Sequence, residues 1–170
     1  TNLTKWLSIR FFGLFSILWG LFLLIGLLSF SENDSYYGFT TTIETANLTG
    51  YWGGYTAGTL LSYLDLPSYL IAFMFLIWGY KITFGINIRF KILRIMSLIL
   101  SLTFFSSILV DYSFYTNIIG QSVNQMYLND FYNNINNNYV VVLIKTILIV
   151  LVIPLTAFAI SINNKYFIFL

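Results

Sequence analysis

The run from Phe11 to Phe30 spans 20 residues without one charged side chain. A helix of that length covers about 30 Å at about 1.5 Å per residue, which is the hydrocarbon thickness of a bilayer. A secretory leader is the other reading of such a segment behind Lys5 and Arg10. Its apolar region would run to about 7–15 residues and end in a small-residue cleavage site, and neither is found here. Gly13, Gly20 and Gly26 stand inside the run. A membrane helix tolerates them and can use them for close packing.

Three more apolar stretches follow, at about 67–84, Ile95–Val110 and about 141–162. The third has 16 residues between Arg94 and Asp111. It is expected to reach about 92–111 by snorkelling of Arg94, whose stem is apolar and whose head is not. Only 8% of the chain is charged and 58% is hydrophobic, against about 25% charged in soluble domains. So few charges cannot cover a water-facing surface, and lipid is the expected solvent. The reading is an all-α polytopic membrane protein, with four transmembrane helices in one domain over 1–170.

The connections are outer segments at 31–66 and 112–140 and a cytoplasmic loop at 85–91. Gly50, Gly54 and Gly58 recur every four residues, so on a helix they share a face. Either they form a groove for a second helix, or they belong to a Gly-rich loop running into a frayed helix start. Asp65 and Pro67 then break the apolar pattern. A short surface helix is expected to end there, with Asp65 as a cap and Pro67 in the first turn of the second span. Trp78 and Tyr80 are expected as interfacial anchors at its inner end. In the second outer segment Ile119, Val123, Met126, Tyr127 and Phe131 have near-helical spacing, which predicts another short helix on the membrane surface. Asn133 to Asn138 is low-complexity and reads as a loop. Lys145 lies near the outer end of the fourth span, and Pro154 is expected to kink that span.

Charge sets the orientation. Lys5 and Arg10 precede the first span, Lys81, Arg89, Lys91 and Arg94 cluster between the second and third, and Lys165 follows the fourth. Seven of the eight basic residues therefore share one side, while five of the six acidic residues fall in the outer segments and the sixth, Asp111, stands at the border of the second. The positive-inside rule places both ends and the basic loop in the cytoplasm.

The chain has no His and no Cys. That removes thiolate nucleophiles, His general bases and Cys/His zinc sites. No G-x-x-x-x-G-K-[ST] is present. No catalytic, cofactor-binding or metal-ligating set is expected. Lys145 reads as a snorkelling Lys rather than half of a Ser–Lys dyad. Asp65 reads as a cap rather than a proton pathway, because it has no partner acid or base in the membrane. The Lys81–Arg94 cluster could touch anionic headgroups, although topology alone accounts for it. The start at Thr1 without Met, and the end at Phe169-Leu170 in an apolar stretch, suggest a fragment or processed product.

From the end of the first span into the second, the order of residues resembles the N-terminal four-helix membrane domain of FtsK-type DNA translocases. That family closes its first span on a pattern near L-S-Y-S-P-x-D-P-S. Here Leu28, Ser29, the aromatic Phe30, Ser31 and Asp34 match, with Glu32 and Ser35 where Pro is usual. The family's N-x-x-G-x-x-G-A is met by Asn47, Gly50 and Gly53, with Ala57 in the small-residue helix that follows. Trp78-Gly79 matches the Trp-Gly ending of the second span, while only Gly120 remains of a Gly-Gly-x-x-G in the second outer loop. The match covers about 12–110 closely and the rest in layout.

The resemblance implies a membrane anchor and septum-targeting, assembly domain of an ATP-driven DNA pump in the bacterial inner membrane. Such a domain links chromosome segregation to cell division. The motor would follow on the cytoplasmic side, and none of its motifs is in this chain. The implied partners are the lipid bilayer, further copies (a hexamer formed through the motor) and other division proteins, with no direct nucleic-acid contact by this segment. The competing reading from composition is a small transporter or channel subunit, which would need polar residues facing a pore at mid-bilayer.

Overall fold

A computed structural model describes residues 2–111, 117–128 and 138–160. Its elements are α1 (Asn2–Leu28), α2 (Gly50–Leu64), α3 (Ser68–Thr83), α4 (Lys91–Ile108), a 3-10 turn (Leu109–Asp111), α5 (Ile118–Val123) continued by a π turn (Asn124–Leu128), and α6 (Asn138–Ile160). Among the described residues the only β pairing is an isolated bridge between Tyr36 and Phe39.

Three helices are long and apolar enough to cross a membrane, at Leu3–Leu28, Lys91–Ile108 and Tyr139–Ile160. A fourth crossing depends on α2 and α3, between which the chain turns through 119°. That bend prevents the two from forming one straight span. The 16 residues of α3 cover about 24 Å by themselves.

α1 and α3 run antiparallel and form the tightest pair. Between lipid-soluble helices there is no hydrophobic drive to associate, so close packing must supply the attraction. Glycine supplies it here. A Cβ on Gly13 would stand 2.6 Å from the Thr83 nitrogen and 3.0 Å from the Gly79 oxygen, and one on Gly79 would stand 2.8 Å from the Gly13 oxygen. Gly20 lies as closely against Leu76. Two bonds cross the same seam: the Ser16 hydroxyl donates to the Phe75 carbonyl at 2.9 Å and the Tyr69 hydroxyl to the Leu27 carbonyl at 3.1 Å.

α2 lies obliquely over the outer end of this pair. Its first half crosses α1 where Gly26 meets the Gly53 oxygen and Ala57, and its last residue meets α4 at Ser106. Buried Leu23, Leu27, Ala57, Leu61 and Ala72 fill the space among α1, α2 and α3. Leu64, Leu98, Leu102 and Ala159 continue the core toward α4 and α6. α6 packs antiparallel on α4, with Leu155 opposite Ser97 and Phe158 opposite Arg94. The first turns of α1 and the last described turns of α6 thus lie at the same end of the bundle.

The Gly face expected at Gly50, Gly54 and Gly58 is divided by the structure. Gly50 adopts φ 72° and touches nothing within 4 Å of where its Cβ would be. Gly54 and Gly58 face the outer segment, Gly54 against Thr45, Asn47 and Asp34 and Gly58 against Phe30 and Tyr36. Within the chain the close helix contact belongs instead to Gly26, Gly53 and Ala57. The four-residue spacing puts Gly54 and Gly58 on one face but does not tell what covers it, because the loop folds back over α2. Phe131, Asn133 to Asn137, Ile162 and Lys165 lie outside the described residues, as do the side chains of Asp111, Tyr127, Asn138 and Lys145.

Gly79→Leu should force α1 and α3 apart, because the added atoms meet backbone. The expected cost is about 1–3 kcal/mol, read as a lower melting temperature of the purified chain in detergent. Gly50→Ala, where nothing stands within 4 Å, should cost about 1 kcal/mol through backbone strain alone, without parting the helices.

Candidate functional site

Each helix end leaves carbonyls without partners in the helix, and hydrocarbon offers no water to take them. The described residues answer this with side chains from neighbouring segments, in three places.

The first is the outer end of α1. Ser29 donates to the Ile25 carbonyl at 2.7 Å and accepts from the Leu48 amide at 3.1 Å. The Asn47 side-chain amide donates to the Gly26 carbonyl at 2.8 Å, and Tyr69 takes Leu27. The other end of Asn47 accepts from the Thr49 amide and hydroxyl at 3.0 and 2.6 Å, which sets the entry into α2. Asp34 is fully buried. Its carboxylate accepts from the Ser31 amide at 3.0 Å and the Ala46 amide at 2.8 Å, clasping the two ends of the outer loop. A Cβ on Gly53 would collide with the Thr49 hydroxyl, and one on Gly58 with the Phe30 ring. Phe30 meets Tyr36 edge-on at 6.0 Å. Ser29, Phe30, Ser31, Asp34, Asn47, Gly53 and Ala57, scattered over 29 positions of sequence, therefore meet in one buried cluster.

The second tie joins α2, α4 and α5. Ser106 donates to the Leu64 carbonyl at 2.9 Å, and Asn117 donates to the Ser106 carbonyl at 2.6 Å. The Asn117 side chain also accepts from the Gly120 amide at 3.1 Å, making it the N-cap of α5. Gly120 lies so close to the Ser106 carbonyl that any side chain would displace it. Beside this tie Asp65 caps α2, not α3 as its place before Pro67 suggests. Its amide donates to the Leu61 carbonyl at 2.8 Å, and its φ of 61° is one that non-glycine residues rarely adopt. Pro67 itself opens α3, with no side-chain cap. Burial raises the Asp65 carboxyl above its usual 3.8, and the Leu66 amide draws it only part of the way back.

The third tie is at the inner end. The Trp78 indole donates to the Ala159 carbonyl at 3.0 Å and Ser97 to the Leu155 carbonyl at 2.8 Å. Arg94 donates to the Phe158 carbonyl and, at 2.8 Å, to the Arg89 carbonyl, with its guanidinium over the Phe158 ring at 4.5 Å. Trp78 and Arg94, expected as an interfacial anchor and a snorkelling cation, each also bond a carbonyl of α6. Lys5, Arg10, Arg89 and Lys91 are exposed, and Arg10 stacks on Trp6 at 3.9 Å. Lys81 is half-buried in the last turn of α3.

Asn117, not singled out in sequence, carries as much of this network as Ser97 and Ser106. Asn117 had a signal, an Asn three residues before Gly120 at the head of an apolar stretch, which is an N-cap pattern. Among the described residues no three His, Cys, Asp or Glu could hold a metal ion. The arrangement can fix helices and loops to one another.

Asp34→Ala strands two amides inside the cluster, and a loss of about 2–3 kcal/mol is expected. Chemical or thermal unfolding should show it, with Asp34→Asn, which keeps an acceptor, losing less. For Asp65 the sign follows from linkage. The folded chain holds this proton more firmly than the unfolded one. The stability this contributes is full below about pH 3.8 and is lost as pH rises through the raised folded value. Asp65→Asn, which also tolerates positive φ, should raise the melting temperature at pH 7 and flatten its fall above pH 4.

Neither the curated proteins nor the solved structures offer a match to the chain. A family model does match, over residues 9–162: the 4TM region of DNA translocase FtsK/SpoIIIE. The matched stretch contains all three ties and every described helix from α2 to α6. With an all-helical bundle of three to four candidate spans beneath that match, the chain belongs to the family of membrane regions of FtsK/SpoIIIE-type DNA translocases.

Proposed function

We propose that this chain is the membrane anchor and septum-targeting, assembly domain of an FtsK-like DNA translocase, coupling chromosome segregation to cell division. The observation that carries the proposal is the family match over 9–162. The charge pattern and the fold support it. The first turns of α1 and the last described turns of α6 share one end of the bundle, and Lys5, Arg10, Lys81, Arg89, Lys91 and Arg94 belong to that side. A DNA motor attached there works in the cytoplasm of a bacterial inner membrane. The domain itself contributes neither ATP hydrolysis nor DNA contact. It gathers copies and other division proteins at the septum, with copy number set through the motor.

Two measurements test this. The chain has no cysteine, so Glu32→Cys and Arg89→Cys report sidedness directly. An impermeant maleimide should label the first on intact spheroplasts and the second only after permeabilisation. Labelling of both from one side ends the anchor reading. A fluorescent fusion of the chain should gather at division sites, and an even distribution around dividing cells removes the septal part.

A further inference from the structure

At the inner end, the loop after α3 and the first turn of α4 form an open groove of about 480 Å³ lined by Ile88, Phe90, Lys91, Ile92 and Leu93. Four of these are apolar and one is a cation. Ile88 is buried beneath, while Phe90, Ile92 and Leu93 stand 63%, 75% and 58% exposed around it. The shape is set by the backbone: Gly85 takes φ 72° and Phe90, without glycine's freedom, takes φ 56°. The Arg94 guanidinium holds the loop in place through the Arg89 carbonyl.

This folding gathers charge of one sign. Arg89, Lys91 and Arg94 fall within six residues, and Lys81 on α3 comes within electrostatic reach of Arg94. No Asp or Glu occurs between Leu66 and Val110. Like charges crowded at the edge of a low-dielectric layer repel, and a counter-charge from the surroundings relieves them. Arg94 uses two of its five N–H groups on carbonyls, which leaves donors for a phosphate.

We propose that this groove and its basic rim bind one anionic phospholipid of the inner leaflet. Its phosphate oxygens accept from Lys91, Arg89 and the remaining N–H groups of Arg94, and its acyl chains lie along Ile92 and Leu93. The pairing of apolar wall and cationic rim selects this ligand. Free phosphate has no tail for the wall, and a zwitterionic lipid brings no net charge to the rim. The proposal stands whether or not the chain anchors a motor.

The test is lipid retention by the purified chain in neutral detergent, counted by native mass spectrometry against added phosphatidylglycerol or phosphatidylcholine. Wild type should retain phosphatidylglycerol preferentially, and increasingly less as salt rises. R89Q/K91Q should weaken that retention about tenfold or more, since each basic residue near an anionic surface matters by several-fold. R89K/K91R should restore it. The side chains of Arg89 and Lys91 take no part in the three ties, so melting of both variants should match wild type. Equal retention of the two lipids, or equal retention by wild type and R89Q/K91Q, overturns the proposal. Displacement of phosphatidylglycerol by millimolar inorganic phosphate overturns it as well, by making the site one for the free anion.

Discussion

Carbonyl groups at the ends of membrane helices need donors, and the bilayer supplies none. Much of this structure answers that constraint. Ile25, Gly26 and Leu27 at the end of α1 are met by Ser29, Asn47 and Tyr69. Leu64 at the end of α2 is met by Ser106, and Ser106 in the last turn of α4 by Asn117. Each donor comes from a different stretch of chain than the acceptor, apart from Ser29. Satisfying a helix end therefore fixes where the next described segment lies, as the bonds that close α1 fix Ser29, Asn47 and the entry into α2.

Glycine and these bonds divide the work. Gly13, Gly20 and Gly79 bring α1 and α3 close enough for dispersion contacts to matter. Gly53, Gly58 and Gly120 do something else: they clear space so that a neighbouring side chain or carbonyl can sit against the backbone. The same residue type thus serves helix packing on one side of the bundle and loop docking on the other. A count of glycines or a spacing of four cannot distinguish the two.

That difference marks what could be read from the sequence. The helical class, the break at Asp65 and Pro67 and the family resemblance were legible, because each rests on local pattern: uncharged length, a proline, a run of Ser-aromatic-Ser and spaced Gly. The cover on Gly54 and Gly58 was not, since it comes from residues 30–47 folding back. Nor were the roles of Trp78 and Arg94. An indole and a guanidinium at the end of a span fit an interfacial anchor, and only the antiparallel seat of α6 brings the Phe158 and Ala159 carbonyls within their reach. Asp65 shows the same limit within one turn. A carboxyl before Pro67 suggests a side-chain N-cap, yet the backbone uses it to end the helix before.

The shortness of α3 has an effect on the surrounding bilayer. Its 16 residues rise about 24 Å, several ångströms less than an average hydrocarbon layer of about 30 Å. α1, with 27 residues, is long enough for any bilayer and can tilt. A bilayer crossed by α3 alone would have to thin beside it, at a fraction of a kcal/mol per ångström.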